Sequence, residues 1–289
     1  MSTCELLMKM KGPLVLFGVA LTIGCASTTT RPADAGSGPP PRALEPGDAQ
    51  RGEVLGRKLC VTCHGVRGDG RGPGSVGLDP PPRDFVRAVY RYRSTPTGSL
   101  PTDADLARSI LRGLPGTSMP AFRDLVNRRD VVDLVAWVKT FSPRWKEELV
   151  DDPIDIPAPP PATPASVVRG RELYTDLQCG KCHGEDGSGN GWGTKEDFRD
   201  ALGRIAEPRD LRQGIYRSGT RPQNLYRSLV TGLDGSPMPA YEDTLSPDEV
   251  YSLVDYVVSL DRGSSIWRWL SRSPRWYEPG DVQLKRDGR

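Results

Sequence analysis

Cys60-Val61-Thr62-Cys63-His64 and Cys179-Gly180-Lys181-Cys182-His183 are the two stretches that decide how this chain reads. They hold four of its six cysteines and both of its histidines. Cysteines three positions apart place their sulfurs about one helical turn apart. A histidine follows at once, which is the pattern of c-type haem attachment. In this reading Cys60 and Cys63, and likewise Cys179 and Cys182, form thioethers to the two vinyl groups on one porphyrin edge. His64 and His183 then stand under the irons as axial ligands, and the chain carries two covalently bound haem c groups. Two other chemistries use similar residues. Zinc needs four ligands, whereas each stretch offers three, and a zinc shared by both stretches ignores their common register. A redox-active C-x-x-C pair is the other, and the following histidine in both copies disfavours it.

Working outward, the stretches belong to an internal repeat. Cys60 and Cys179 are 119 residues apart, and so are His64 and His183, Leu106 and Leu225, Arg108 and Arg227, Gly113 and Gly232, Met119 and Met238, and Leu134 and Leu253. The repeating unit is about 95 residues long, close to one small domain. Pro82-Arg83-Asp84 matches Pro208-Arg209-Asp210 only after a seven-residue shift, which is reversed before the methionine. Beyond the first two dozen residues the only methionines are Met119 and Met238, each 55 residues after its histidine and each followed by proline. Proline keeps the preceding residue extended, and thioether sulfur is a soft donor to haem iron. Met119 and Met238 are therefore the expected sixth ligands. The alternative is core filler.

The local pattern is helical. Ser246-Pro247-Asp248-Glu249 reads as a helix start with a capping box, and Asn127 and Asp130 hold the equivalent positions in the first copy. Val131, Leu134, Val135 and Val138 follow at helical spacing. Asp105–Arg112 and Gln223–Val230 read as a short helix before each methionine loop. No alternating strand pattern competes.

With these residues in place, both copies resemble class I cytochrome c domains. The resemblance implies an all-α fold, two tandem domains each wrapped around one covalent haem, and electron transfer as the activity. Leu134 with Trp137, and Leu253 with Tyr256, match the leucine and aromatic of the family's last helix. In that family the last helix crosses the first at a glycine that an aromatic follows four residues later. Gly170 and Tyr174 fit; in the first copy Gly52 fits but Gly56 stands where the aromatic belongs. The histidine's second nitrogen is expected to donate to a backbone carbonyl, with Pro82 and Pro208 marking the loops. Tyr92-Arg93-Ser94 and Tyr216-Arg217-Ser218 read equally well as propionate-binding groups or as plain surface loop.

The segments around the repeats suggest export. Residues 1–24 carry Lys9 and Lys11 and then an apolar run too short to cross a bilayer, which describes a signal peptide. Leu21-Thr22-Ile23-Gly24-Cys25 resembles a bacterial lipobox, with Cys25 as the lipid anchor. Ordinary cleavage after Ala26, or an uncleaved anchor, are the alternatives. Residues 25–46 read as a flexible tether, 47–145 and 167–262 as the two domains, and 146–166 as a proline-rich linker of extended, semi-rigid character. The tail 263–289, read together with Arg262, has a net charge of +4 and interleaves Trp267, Trp269 and Trp276. It suits an anionic membrane surface or a protein partner, or packing back on the second domain.

The whole-chain formal charge is only +2, so no basic balance points to nucleic acid. The expectation is a lipid-anchored electron carrier on the periplasmic side of a bacterial membrane. It would pass single electrons between a redox donor and acceptor, one of them within a membrane respiratory complex. A diheme peroxidase needs an open iron face and usually more histidine than the chain has. A haem gas sensor needs a five-coordinate iron or a labile methionine.

Overall fold

The computed structural model describes residues 46–194 and 196–262. The signal segment 1–24, Cys25, the tether up to residue 45 and the tail 263–289 lie outside the described residues. Among those described, the architecture is all-α, with one isolated bridge between Arg199 and Ile205 as the only β pairing. The first repeat consists of α1 (Ala49–Leu59), α2 (Val61–His64), a 3-10 turn (Pro73–Ser75), α3 (Asp103–Arg112), α4 (Arg128–Lys139) and α5 (Arg144–Glu147). The second consists of α6 (Pro164–Asp176), α7 (Cys179–His183), a 3-10 turn (Leu211–Gln213), α8 (Pro222–Val230) and α9 (Pro247–Ser259). No helix among the described residues is long and apolar enough to cross a membrane.

Side-chain caps set the helix starts. Asn127 accepts from the amides of Arg129 and Asp130, while Asp130 accepts from the Asn127 amide. Ser246 and Glu249 exchange the same pair of bonds at α9, and Thr102 with Asp105 at α3. Each cap is worth about 1 kcal/mol. The apolar face expected of α4 is buried: Val131 and Leu134 are 1 % exposed, Val135 3 % and Val138 6 %.

In the first repeat α1 crosses α4, and in the second α6 crosses α9, so closely that only glycine fits. A Cβ on Gly52 would lie 2.0 Å from the Asp133 carbonyl oxygen, and one on Gly170 would lie 2.0 Å from that of Ser252. The missing aromatic of the first repeat is compensated from the other side. A Cβ on Gly56 would fall 2.1 Å from the Trp137 ring, so the indole occupies the space that the glycine vacates. In the second repeat Tyr174 and Tyr256 share that space edge-to-face at 5.2 Å, and the Tyr174 hydroxyl donates to the Gly184 carbonyl at 2.7 Å.

Gly170 stands one residue further from its cysteines than Gly52 does. The extra residue is absorbed at Gln178, whose left-handed backbone (φ 55°, ψ 33°) turns the chain into α7. For a side chain other than glycine this conformation costs on the order of 1 kcal/mol.

The linker is a strap attached to both repeats. The Ile154 amide donates to the Ser94 carbonyl at 2.7 Å, the Tyr251 hydroxyl donates to the Pro157 carbonyl, and Ile154 and Ile156 pack on Tyr226 and Tyr251. Its limits differ slightly from expectation: α5 extends to Glu147, and α6 begins at Pro164 because Thr163 caps it.

Asp255 on α9 is 6 % exposed and accepts from the Ser166 hydroxyl of α6. Burial pushes its carboxyl up to about 6, and the hydrogen bond only partly opposes that. Between the ordinary carboxylate value and about 6, the native chain holds a proton that the unfolded chain has lost. This group's contribution to stability therefore declines as pH rises through that window, and the full penalty applies above it. Asp255→Asn is expected to stabilise the protein by about 2 kcal/mol at pH 7.5, with the gain shrinking toward zero near pH 4. Urea unfolding at both pH values checks this, and a pH-independent gain would contradict it.

Candidate functional site

Because α2 and α7 follow directly from the glycine-crossed helices, both histidines are placed by the same crossing. His64 ends α2 and His183 ends α7. The Nδ1 of His64 lies 3.0 Å from the Arg83 carbonyl oxygen, and that of His183 lies 3.1 Å from the Arg209 carbonyl oxygen. A carbonyl only accepts, so Nδ1 carries the proton and Nε2 keeps its lone pair. Each accepting carbonyl comes from the residue just after the matched proline. Burial holds both imidazoles below the usual histidine range, against the opposing pull of that hydrogen bond. Both are thus neutral at pH 7, with Nε2 ready for a metal.

A glycine-rich loop that the sequence reading passed over shapes the histidine side of each site. Gly65, Gly68, Gly70 and Gly72 recur 119 residues on as Gly184, Gly187, Gly189 and Gly191. The Gly70 amide donates to the His64 carbonyl at 2.9 Å, and the Gly189 amide to the His183 carbonyl at 2.7 Å. A Cβ on Gly72 would lie 2.3 Å from the Thr62 oxygen, and one on Gly191 would lie 2.1 Å from the Lys181 oxygen. The repeated glycine spacing was the available signal. The first repeat adds aromatic support, because His64 stacks on Phe85 at 4.4 Å and Phe85 meets Phe141 at 5.8 Å. Leu211 and Leu260 take those two places in the second repeat.

Cys60, Cys63, Cys179 and Cys182 are half-buried and form no disulfides. As thiols, Cys60 and Cys179 are pushed up to about 11, chiefly by burial. A redox-active pair requires the opposite shift. Among the described residues no three His, Cys, Asp or Glu side chains converge as metal ligands, so the donor set for a shared zinc is not assembled.

Met119 and Met238 close matching turns. The Leu114 amide donates to the Met119 carbonyl at 3.2 Å, and the Leu233 amide to the Met238 carbonyl at 3.1 Å. Thr117 and Ser236 brace the turns by donating to the carbonyls of Leu114 and Leu233 at 2.7 and 2.6 Å. Gly113 and Gly232 open the turns at φ +63° and +64°, and a Cβ on either would meet the backbone beyond the methionine at 2.5–2.7 Å.

In the second repeat Cys179, Cys182, His183 and Met238 all line one cavity of about 470 Å³, walled by Leu225, Leu253 and other apolar side chains. That volume is within the range of cofactor pockets. Two buried arginine Nε atoms among its lining residues, on Arg91 and Arg217, have no acceptor. An apolar cavity with neutral imidazole, soft sulfur and unanswered cationic donors fits a porphyrin that bears carboxylates. In the first repeat Cys60 and Met119 pack against one apolar cluster that includes Phe85 and Leu134.

The two Tyr-Arg-Ser segments are placed differently. Arg93 is fully buried and turns away from the role of propionate ligand. It donates to the carbonyls of Pro96, Tyr90 and, in the other repeat, Thr231, and it pairs with Asp234 of the other repeat at 2.9 Å. Thr97 donates to the same Thr231 carbonyl, and the Gly98 amide donates to Asp234. Ser94 is spent on Asp105, to which both its amide and its hydroxyl donate. Arg93 is thus a strut between the repeats, whereas Arg217 lines the cavity. The two methionine turns also meet the opposite repeat: a Cβ on Gly116 would lie 3.2 Å from Ile215, and one on Gly235 would lie 3.0 Å from Val89.

Comparisons with known proteins assign both repeats to one family and fold. The model of a family described as cytochrome C oxidase, cbb3-type, subunit III matches residues 47–138 and 165–257, once per repeat. Among individual proteins, the Cbb3-type cytochrome c oxidase subunit FixP of Azorhizobium caulinodans is 26 % identical over 212 residues, covering 73 % of this chain and 59 % of that protein. This chain therefore spans about three fifths of that relative's length. Among solved structures, a chain of the Kuenenia stuttgartiensis reducing HAO-like protein complex Kustc0457/Kustc0458 superposes with a TM-score of 0.72 at 33 % identity, covering 76 % of this chain and 100 % of that one.

Removing the strut should be expensive, because it strands a carboxylate and several buried carbonyls. Arg93→Ala is expected to destabilise the holoprotein by about 3 kcal/mol. Arg57→Ala, which removes an exposed pair with Glu53, should change stability by under about 0.5 kcal/mol. Urea unfolding of both variants checks this. Equal effects would mean that Arg93 does not join the repeats.

Proposed function

This chain belongs to the cytochrome c oxidase, cbb3-type, subunit III family, and on that premise we propose that it is a diheme cytochrome c that passes single electrons between redox partners. The observation that carries this reading is the single cavity shared by Cys179, Cys182, His183 and Met238, with the same residues repeated in register at Cys60, Cys63, His64 and Met119. Bound there, each haem c would supply one-electron chemistry between ferric and ferrous iron. The cysteines would hold the porphyrin edge covalently, so that the cofactor would not dissociate. The carbonyls of Arg83 and Arg209 fix the histidine tautomer and ring plane and strengthen Nε2 as a donor. Met119 and Met238 would supply thioether sulfur to the iron, a ligand that raises the reduction potential. Iron whose ligands both come from the protein would favour electron carriage over peroxide turnover or gas binding.

The same proposal places the protein on the periplasmic side of a bacterial membrane, exported by residues 1–24 and anchored by lipid on Cys25. One redox partner is a membrane respiratory complex, a reading that the relationship to oxidase subunits favours.

Met119→His and Met238→His should each remove about half of the long-wavelength methionine–iron absorption and lower one of two potentials, because imidazole stabilises ferric iron more than thioether does. Spectroelectrochemical titration checks this. A variant with both potentials and the full absorption intact would remove that methionine from the ligand set.

Labelled fatty acid should enter the wild type, and Cys25→Ser should abolish labelling and release the protein from membranes. Attachment that survives this change would move the anchor to the tail or to an uncleaved signal segment.

A further inference from the structure

The cavity of the second repeat is completed by two residues of the first, Arg91 and Tyr92. Arg91 belongs to the first repeat, yet it lines this cavity together with Arg217. The Nε of each is buried without an acceptor. A buried donor left unanswered costs about 1–3 kcal/mol, so two side by side call for an acceptor that the protein does not supply, and their positive charge favours an anion. Protein carboxylates do not suffice. Asp200 reaches Arg91 only at 3.8 Å, and its Oδ2 already accepts from Arg204, from Nη2 at 2.7 Å and from Nε at 3.0 Å. Arg209 lines the same cavity and repels Arg217. This edge of the pocket therefore carries more positive charge than its side chains neutralise.

The repeat explains the excess. Arg93 and Arg217 are equivalents in the two Tyr-Arg-Ser segments, and Arg93 is answered across the interface by the Thr231 carbonyl and Asp234. Counted back by 119 residues, the corresponding positions are Arg112 and Pro115. Proline offers no carboxylate, so the partner that buries Arg93 has no counterpart for Arg217. One arginine of the pair has become a strut, and the other faces the cavity.

We propose that Arg91 and Arg217 together bind the propionate carboxylates of the second haem, so that the pocket of this haem is built from both repeats. The proposal rests on the haem reading above. Guanidinium groups suit carboxylates because their paired N–H donors match two oxygens. Reduction adds an electron close to these cations, which favours the ferrous state. The potential of the second haem thus depends on a residue of the first repeat.

The test uses the full-length holoprotein with Arg91→Gln, Arg217→Gln and, as a surface control, Arg57→Gln. The wave displaced by Met238→His identifies the second haem in a spectroelectrochemical titration. Arg91→Gln and Arg217→Gln should each shift that haem's reduction equilibrium several-fold to about tenfold toward ferric, a tenfold change being ~59 mV for one electron. The first haem's wave, the covalent haem count and the control should be unchanged. Asp200→Asn removes the competing carboxylate and should move the same wave the other way, which keeps the test open if an arginine variant does not accumulate. The proposal is overturned if neither arginine variant moves the second haem's wave, if Arg91→Gln moves only the first, or if Asp200→Asn leaves both waves in place. A wild-type chain lacking covalent haem would overturn the reading on which the proposal rests, and the proposal with it.

Discussion

Each repeat depends on two helices meeting more closely than any side chain allows. Gly52 against Asp133, and Gly170 against Ser252, let backbone touch backbone. The segment that bears the cysteines and histidine leaves the crossed helix directly, so the crossing sets where the histidine stands. The rest follows from that placement: the glycine loop wraps the histidine, a carbonyl orients its ring, and in the second repeat Met238 lines the same cavity as His183. Substituting either glycine would displace the cofactor side chains together with the core.

The second constraint is that the two copies are joined. A duplicated domain on a proline linker could have behaved as two independent units. Here the linker is bonded to both copies, and Arg93 reaches into the second copy while buried completely. Duplication supplied two equivalent arginines, and the interface gave them different tasks. Asymmetry of this kind lets two sites with the same ligands differ in electrostatic surroundings, and therefore in potential.

Much of the fold was legible in the sequence because its signals are local or periodic. Ser246 with Glu249 and Asn127 with Asp130 are capping pairs within four residues, and the register of 119 aligned the cysteines, histidines and methionines of the two copies without any structure. The sequence did not disclose interactions that depend on where separate segments meet. Nothing in Tyr92-Arg93-Ser94 distinguishes it from Tyr216-Arg217-Ser218; the difference lies at Asp234, 141 residues from Arg93, and at Pro115, 102 residues from Arg217. The exchange of Gly56 with Trp137 for Tyr174 with Tyr256 looked like a defect in the first copy until both helices were seen together. The left-handed Gln178 was hidden as well, because a one-residue offset does not say which residue absorbs it.

The central claim is that Cys60, Cys63, Cys179 and Cys182 carry two haems through thioether bonds. Intact-mass measurement of the denatured, acid-acetone-washed protein tests it most directly. The account predicts a single species heavier than the processed polypeptide by two haems, falling to one haem when either cysteine pair is replaced by alanine. A mass equal to that of the bare polypeptide, or haem that washes out with acid acetone, would contradict it.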